Sequence, residues 1–463
     1  MSTSSFGIFG LGVMGKSLAL NVLSKEISLS VYNRDTDEEK NIVNTFINDN
    51  RSKPVLGFTE IKDFVNSLQK PRKILIMVKA GKVVDAVIES LLPHLNRGDI
   101  IIDGGNSHYI DTNERNKRLK KREINFLGLG VSGGEEGALK GPSLMPGGNK
   151  KSYDLVANIL EEIAAKDDQG KPCCNYIGDA GAGHFVKMVH NGIEYADMQL
   201  LAELYAILSD TIEYSQISKL FSEWNRGELS SYLLDITAKI LNEKEGEKYV
   251  LDEILDKAGN KGTGSWSSKS ALDLGVPTTM KTAAVYARYI SSFKEKRIQL
   301  SNYTSNKEKK NNVDLIALKE AYDFAQTINL QQGLQLIKAA SNEYEWNLNL
   351  SEICRIWSNG CIIKSERIKE YSILCKKNDD LFDNASITNQ LKKQEESIIS
   401  IISYALKGRT HIPCLYQAYS YWIAMTTEYS SANLIQAQRD FFGAHTFQKV
   451  GDTTRKSFHY NWI

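Results

Sequence analysis

Residues 6–15 read Phe-Gly-Ile-Phe-Gly-Leu-Gly-Val-Met-Gly (FGIFGLGVMG), an apolar run passing straight into G-x-G-x-x-G and then a helical pattern over 13–25. In a strand–turn–helix setting these glycines divide the work. Gly10 and Gly12 serve the tight turn and the approach of a pyrophosphate, and Gly15 packs the helix on the strand. Gly10, Leu11, Gly12, Val13, Met14 and Gly15 are therefore expected to hold a dinucleotide. Residues 1–180 carry the same alternation onward. Apolar runs at 6–9, 29–32, 73–78, 99–102 and 125–129 predict strands, and segments at 13–25, 83–92 and 153–164 predict helices. Such alternation predicts an α/β, Rossmann-type, doubly wound parallel sheet. The stretch 141–148 (GPSLMPGG) reads as turn-rich and leads into a helix–strand unit ending near Gly178.

The ends of the predicted strands carry the candidate ligands. Asn33-Arg34-Asp35 follows the second strand. An Arg there accommodates a 2′-phosphate and an acid grips free ribose hydroxyls, so Arg34 favours NADP while Asp35 admits NAD. Later strand ends carry Val78-Lys79-Ala80-Gly81, Asp103-Gly-Gly-Asn106-Ser107 and Val131-Ser132-Gly133-Gly134-Glu135. Ligands in such sheets sit at these carboxyl ends, and the Asn, Ser and free backbone N–H groups suit a carboxylate or a nicotinamide amide.

Beyond residue 180 the alternation gives way to long amphipathic helices, to about residue 436. In the first, from Gly181 (GAGHFVKMVHNGIEYADMQLLAELYAIL), Lys187, His190, Asn191 and Glu194 share one face at i, i+3, i+4 and i+7. Phe185, Val189, Ile193, Ala196 and Leu200 share the other. A solvated surface is the bland reading of that polar face, but His and Asn suit a merely solvated helix poorly. Trp224-x-x-Gly227 recurs as Trp357-x-x-Gly360, an offset of 357 − 224 = 133, which suggests a duplicated bundle whose halves are joined by the hydrophilic run 294–312. Gly259-Asn-Lys261-Gly-Thr263-Gly and Arg288 offer an anion site or, on the plainer view, a surface loop and a solvated Arg. Residues 437–463 form a tail whose aromatic residues argue for docking on another surface, such as a second subunit.

Composition narrows the class. The 463 residues are 42% hydrophobic and 24% charged with a net charge of +1, ordinary for a globular protein and without the field that nucleic acid or anionic lipid requires. No apolar run reaches bilayer length, and the start of the sequence lacks a secretory pattern. Six cysteines without metal-ligand spacing suggest reduced thiols and a cytoplasmic protein, and no metal is expected.

Together the runs GLGVMG, YNR, MVKAG, DGGNS, GVSGGEEGA, GPSLMPGG, GAGHFVKMVHNGIEY, WNRGELSSYLLDIT, AGNKGTGSW, ALDLGVP, GCIIKS and QRDFFGAHTF span nearly the whole chain. In them the sequence resembles the decarboxylating 6-phosphogluconate dehydrogenases. The resemblance implies a Rossmann-type domain, a duplicated all-helical domain, and a tail (437–463) entering the partner of a homodimer. It further implies oxidation of 6-phospho-D-gluconate at C3 by NADP, then loss of CO2 to give ribulose 5-phosphate. In this reading Lys187 is the base and Glu194 the acid. His190, Asn191, Ser132, Gly133 and Gly134 hold the sugar acid, and Asn106 lies between sugar and nicotinamide. Tyr195, Lys261, Thr263 and Arg288 match the phosphate site, with Arg439 and His445 from the other subunit. Three positions depart from the family's habit: Asp35 stands for Thr, Ser265 for Lys and Ala196 for Gly. Two alternatives stay open. One is a related 3-hydroxyacid dehydrogenase acting on a smaller acid, which would not require the phosphate set Lys261, Arg288 and Arg439. The other is an inactive cofactor-binding regulatory protein, in which loss of Lys187 or Glu194 would be expected.

Overall fold

The computed structural model describes residues 3–259, 262–303 and 312–462. Seven strands form the sheet: β1 (Phe6–Phe9), β2 (Leu29–Tyr32), β3 (Val55–Phe58), β4 (Lys73–Ile76), β5 (Ile100–Asp103), β6 (Asn125–Ser132) and β7 (Ser143–Gly148). Their order is β3-β2-β1-β4-β5-β6-β7. The first six strands are parallel, and the order reverses between β1 and β4, where α/β sheets open a ligand crevice. The fully buried runs FGIF and LSVY are the composition that a sheet covered on both faces demands. Four helices matter to the site: α1 (Val13–Ser24), α2 (Lys82–Leu91), α3 (Tyr109–Lys120) and α4 (Gly134–Lys140). Buried Asn21 of α1 donates to Ala138 O and Ile163 O at 3.0 and 2.9 Å, tying the fingerprint helix to α4.

Several expectations need correction. The stretch 141–148 is no turn. Its residues 143–148 make up β7, wholly buried and antiparallel to β6, so the sheet is mixed. Its glycines permit close approach instead: a Cβ on Gly147 would stand 2.3 Å from Gly183 N. Pro146 is tolerated because β7 is the last strand of the sheet order, and the proline's carbonyl still accepts from Ile177 N–H at 2.8 Å. The strand near Gly178 is reduced to isolated bridges at Cys174 and Gly178. β3 went unpredicted, being four half-buried residues at the sheet edge. The helix expected over 153–164 is broken into Lys150–Asp154 and Ala157–Ile163.

Among the described residues the remainder is mainly helical, with a two-strand ladder at Lys244–Glu245 and Lys248–Tyr249 and isolated bridges at Ser231–Ser365 and Phe447–Phe458. Its principal members are α5 (Ala182–Leu208), α6 (Tyr214–Trp224), α7 (Tyr232–Asn242), α8 (Thr263–Asp273), α9 (Thr279–Ser291), α10 (Leu315–Glu343), α11 (Leu350–Trp357), α12 (Glu366–Leu374), α13 (Ala385–Lys407), α14 (Pro413–Thr426) and α15 (Ala432–Gly443). The duplication is visible: α5 and α10 start 315 − 182 = 133 residues apart, and α6 and α11 both end on Trp, 357 − 224 = 133 apart. A similar side-chain bond recurs, its donors 351 − 218 = 133 residues apart and its acceptors one residue further. Ser218 Oγ donates to Ala238 O at 2.7 Å, and Ser351 Oγ donates to Ser372 O at 2.5 Å. Residues 294–301 of the expected connection form a further helix, and 304–311 lie outside the described residues. α15 spans the position where the tail was expected to begin. No helix among the described residues is long and apolar enough to cross a membrane.

Candidate active site

The fingerprint turn lies at one end of a cleft of about 670 Å³ between the carboxyl ends of β1, β2, β4 and β5. A Cβ on Gly10 would meet Met77 O at 2.5 Å, and one on Gly15 would meet Gly10 O at 2.0 Å, so turn and helix close tightly there. Gly12 has nothing within 4 Å of that position, leaving its backbone open to a ligand at the start of α1. That combination, with a cleft of ligand size, fits a dinucleotide. Val13, Met14, Asn33, Arg34, Val78, Lys79 and Asn106 also line the cleft. Leu11, Asp35 and Ala80 are not among its lining residues. The Leu11 N–H instead donates to Asn33 Oδ1 at 2.9 Å, pinning the turn to the end of β2.

Two loops are held by groups that the sequence reading missed. Asp103 accepts from Gly105 N–H at 3.0 Å and Ser107 Oγ at 2.7 Å, shaping the loop that presents Asn106. Arg115 of α3 donates to Asp103 at 3.2 Å, to Asp85 at 2.9 and 3.0 Å and to Gly81 O at 3.0 Å, so one guanidinium fixes both the 78–81 and 103–107 loops. The conspicuous Asp in DGGNS was the available signal.

α5 enters across the sheet, where a Cβ on Gly183 would collide with Met145 O at 2.2 Å and Gly128 O at 2.6 Å. Only glycine lets the helix lie this close. The polar stripe is consequently buried: Lys187 is 7% exposed, His190 0% and Asn191 7%. Lys187 Nζ lies 3.4 Å from His190 Nδ1, and Glu194 Oε2 lies 3.7 Å from the same nitrogen. His190 Nε2 reaches Ser132 Oγ at 2.9 Å and Cys361 Sγ at 2.8 Å. Burial holds the Lys187 ammonium below the usual lysine range, against the opposing charge of Glu194. Burial, then the Lys187 charge, holds His190 neutral. Burial pushes the Cys361 thiol up to about 12, so it stays a thiol. The cluster thus sets a lysine whose pKa burial lowers beside a neutral imidazole.

A second group forms further along α5. The Arg288 guanidinium lies 3.5 Å from the centre of the Tyr195 ring, and burial lowers its pKa. Gly264 packs against Tyr195, bringing buried Thr263 and the start of α8 to the same place. Arg288 also donates to Gly259 O at 3.2 Å. Lys261 falls outside the described residues. Gly133 and Gly134 lie where β6 enters α4, beside Ser132. Arg439 and His445 are not brought to this site within the chain. Arg439 donates to Gln436 at 3.0 Å and His445 packs on Phe442, both within the tail. No cluster of metal-ligating side chains occurs among the described residues.

Comparison with known proteins gives the family. Residues 5–178 match the model of the NAD binding domain of 6-phosphogluconate dehydrogenase, and residues 183–462 match that of the 6-phosphogluconate dehydrogenase C-terminal domain. The chain is 48% identical to the NADP(+)-dependent, decarboxylating 6-phosphogluconate dehydrogenase of Bacillus subtilis, over 100% of both chains. It is 44% identical to the decarboxylating enzyme of Escherichia coli, again over 100% of both. A solved Plasmodium falciparum 6-phosphogluconate dehydrogenase, described in apo form, with its cofactor NADP+ and with its substrate 6-phosphogluconate, superposes with a TM-score of 0.93 at 40% identity, covering 99% of this chain and 100% of that one. With two family models covering nearly its whole length and relatives this similar, the chain belongs to the 6-phosphogluconate dehydrogenase family.

Proposed function

We propose that the protein oxidises 6-phospho-D-gluconate at C3 and decarboxylates the 3-keto acid to ribulose 5-phosphate and CO2. The observation that carries this reading is the buried stripe, where Lys187 Nζ and Glu194 Oε2 approach one imidazole nitrogen at 3.4 and 3.7 Å. NADP, when bound, supplies the hydride acceptor. The Gly10–Gly15 turn, Asn33, Arg34, Val78, Lys79 and Asn106 would hold it. Neutral Lys187 takes the proton of the C3 hydroxyl, and burial makes that neutral form accessible. The resulting ammonium then polarises the C3 ketone, so the electrons of the breaking C1–C2 bond flow into an enediol as CO2 leaves. Glu194, about two helical turns further along α5, delivers a proton to the former C2, now C1 of the product.

Ser132, Gly133, Gly134, His190 and Asn191 suit the sugar-acid end. Tyr195, Thr263, Arg288 and Lys261 suit the phosphate. The substrate carries roughly three negative charges, more than the cations within one chain answer. Arg439 and His445 of a second copy complete the set in a homodimer. The exposed Leu434, Ile435, Phe441 and Phe442 of α15 support such docking. The six unpaired, buried cysteines fit a reducing cytoplasm.

Equimolar CO2 and NADPH from 6-phosphogluconate are expected, and no turnover with NADP or NAD would refute the assignment. Mixing inactive Lys187→Met and Arg439→Ala dimers, with subunit exchange, restores activity if the site is shared between subunits. No restoration after verified exchange contradicts the shared site.

A further inference from the structure

Arg34, the cation expected to meet a 2′-phosphate, already has a partner. Its Nε and Nη2 donate to the two carboxylate oxygens of Glu39 at 3.0 and 2.9 Å, a bidentate fork. The same carboxylate accepts from Asn33 Nδ2 at 2.9 Å, and Asn33 Oδ1 accepts the Leu11 N–H of the fingerprint turn. Glu39 is thereby coupled to the dinucleotide turn through one side chain, and it lines the cleft beside Tyr32 and Arg34. Asp35, the acid that the sequence offers first for cofactor choice, is used elsewhere. It accepts the Asn41 N–H at 3.1 Å and is not among the cleft's lining residues.

We propose that Glu39 is a specificity-determining residue for the adenosine end of the cofactor: it competes with a 2′-phosphate for Arg34 and offers its own carboxylate to an unphosphorylated ribose. The inference rests on the cofactor reading given above and concerns the ratio of NADP to NAD binding. A 2′-phosphate carrying nearly two negative charges must displace an intramolecular carboxylate from both arms of the fork. It then lies close to the carboxylate it has displaced. Ribose hydroxyls meet no such cost, because they donate to an acid at this position. The side chains of Arg34 and Glu39 are 63% and 32% exposed, so water and salt moderate the competition. Glu39 therefore narrows the preference for NADP and does not by itself abolish binding of the phosphorylated cofactor.

The test is direct binding, without substrate, of NADP, NAD and adenosine 2′,5′-bisphosphate to the full chain by calorimetry. Glu39→Gln keeps the side-chain volume and removes the charge, and Glu39→Ala removes both. Each variant is expected to tighten NADP and the bisphosphate by about tenfold, with the gain shrinking as salt rises, while NAD binds equally or more weakly. Asp35→Asn is expected to leave the ratio near that of the wild type. An unchanged NADP to NAD ratio in both Glu39 variants overturns the inference and leaves the cofactor assignment standing. Wild-type protein that binds none of the three overturns the assignment, and the inference falls with it.

Discussion

α5 and α10 hold equivalent positions in the two halves of the helical region, yet only one carries the candidate chemistry. At the 133-residue offset, Lys187, His190, Asn191 and Glu194 correspond to Glu320, Asp323, Phe324 and Thr327 (187 + 133 = 320, and so on). Both stripes are largely buried, and the α10 stripe is polar at three of its four positions, Phe324 being the exception. What lies across from them differs. In α10, Asp323 receives Arg367 at 2.6 and 2.9 Å, Gln390 at 2.6 Å and Gln394 at 2.7 Å, all from α12 and α13. Thr327 Oγ1 is bound by Tyr371 OH at 3.2 Å and itself donates to Asp323 O at 3.0 Å. Every group is committed to a neighbouring helix. In α5 the stripe faces the end of β6 and Cys361, and Lys187 Nζ lies a long 3.4 Å from His190 Nδ1. One scaffold position thus carries a structural knot in α10 and the candidate reactive cluster in α5.

Replacing Lys187 breaks the comparison at its most sensitive point. Lys187→Met is expected to lower kcat by about 10³-fold or more while NADP affinity is nearly unchanged, since base and electrostatic contributions are lost together. Pre-steady-state absorbance of the reduced cofactor checks this, and near-normal hydride transfer in the variant would remove Lys187 as the base. In the wild type the acid limb of the rate profile is expected below the usual lysine range, because burial disfavours the ammonium.

Arg367→Met tests the other stripe. It strands Asp323 in the interior without its cation, an expected cost of about 3–5 kcal/mol in denaturant unfolding at fixed protein concentration, with kcat per folded subunit unchanged. A variant as stable as the wild type, or one stable but inactive, would contradict a purely structural knot in α10.

Glu194→Gln is expected to have a smaller effect, roughly 10²-fold on overall turnover. Hydride transfer should persist, so a first turnover of reduced cofactor would outrun release of ribulose 5-phosphate. Equal loss of both steps would move the acid role away from Glu194.

What was legible in the sequence followed from local spacing. Gly10, Gly12 and Gly15 mark a turn within ten residues, and the α5 stripe repeats within two helical turns, so periodicity alone located both. The 133-residue repeat was visible because Trp and Gly are informative residues. Strand β7 was hidden because Pro146 and its glycines look like turn chemistry when the close approach of Gly183 cannot be seen. Cys361 meets His190 from 171 residues away, and Arg115 reaches Asp85 from 30 residues away; no spacing rule reaches that far. Glu39 lies close to Arg34 in sequence, but only the fold of the 34–41 turn decides that Glu39, and not Asp35, receives the guanidinium. The expected place of Arg439 and His445 rests on resemblance alone, since within the chain they contact Gln436 and Phe442 of the tail.

The smallest expected effect lies where α5 and α10 cross. Lys281 of α9 is fully buried there and its Nζ has no protein hydrogen-bond partner, and neither Ser267 Oγ nor Asn329 Oδ1 beside it has one. Asn329 Nδ2 donates across the crossing to Ile193 O at 3.0 Å and Asp197 at 2.8 Å, which leaves Asp197 as the facing charge. Burial lowers Lys281 to about 7 and raises Asp197 to about 7. An unfolded lysine keeps its proton up to about 10.4, so between about 7 and that value folding expels a proton from Lys281. The lysine's contribution to stability therefore rises with pH across this window, and its full cost is present below about 7. Asp197 acts in the opposite sense, holding in the folded state a proton that the unfolded chain releases above about 3.9, so its contribution falls as pH rises toward 7. Lys281→Met isolates the first effect. The variant is expected to be more stable than the wild type by about 1–3 kcal/mol at pH 6, with the gain fading toward pH 10. Urea unfolding at pH 6, 8 and 10 measures it. A gain that is absent at pH 6, or that grows with pH, would show that the ammonium is paid for by partners at the crossing, and that the two stripe helices meet through a satisfied polar contact.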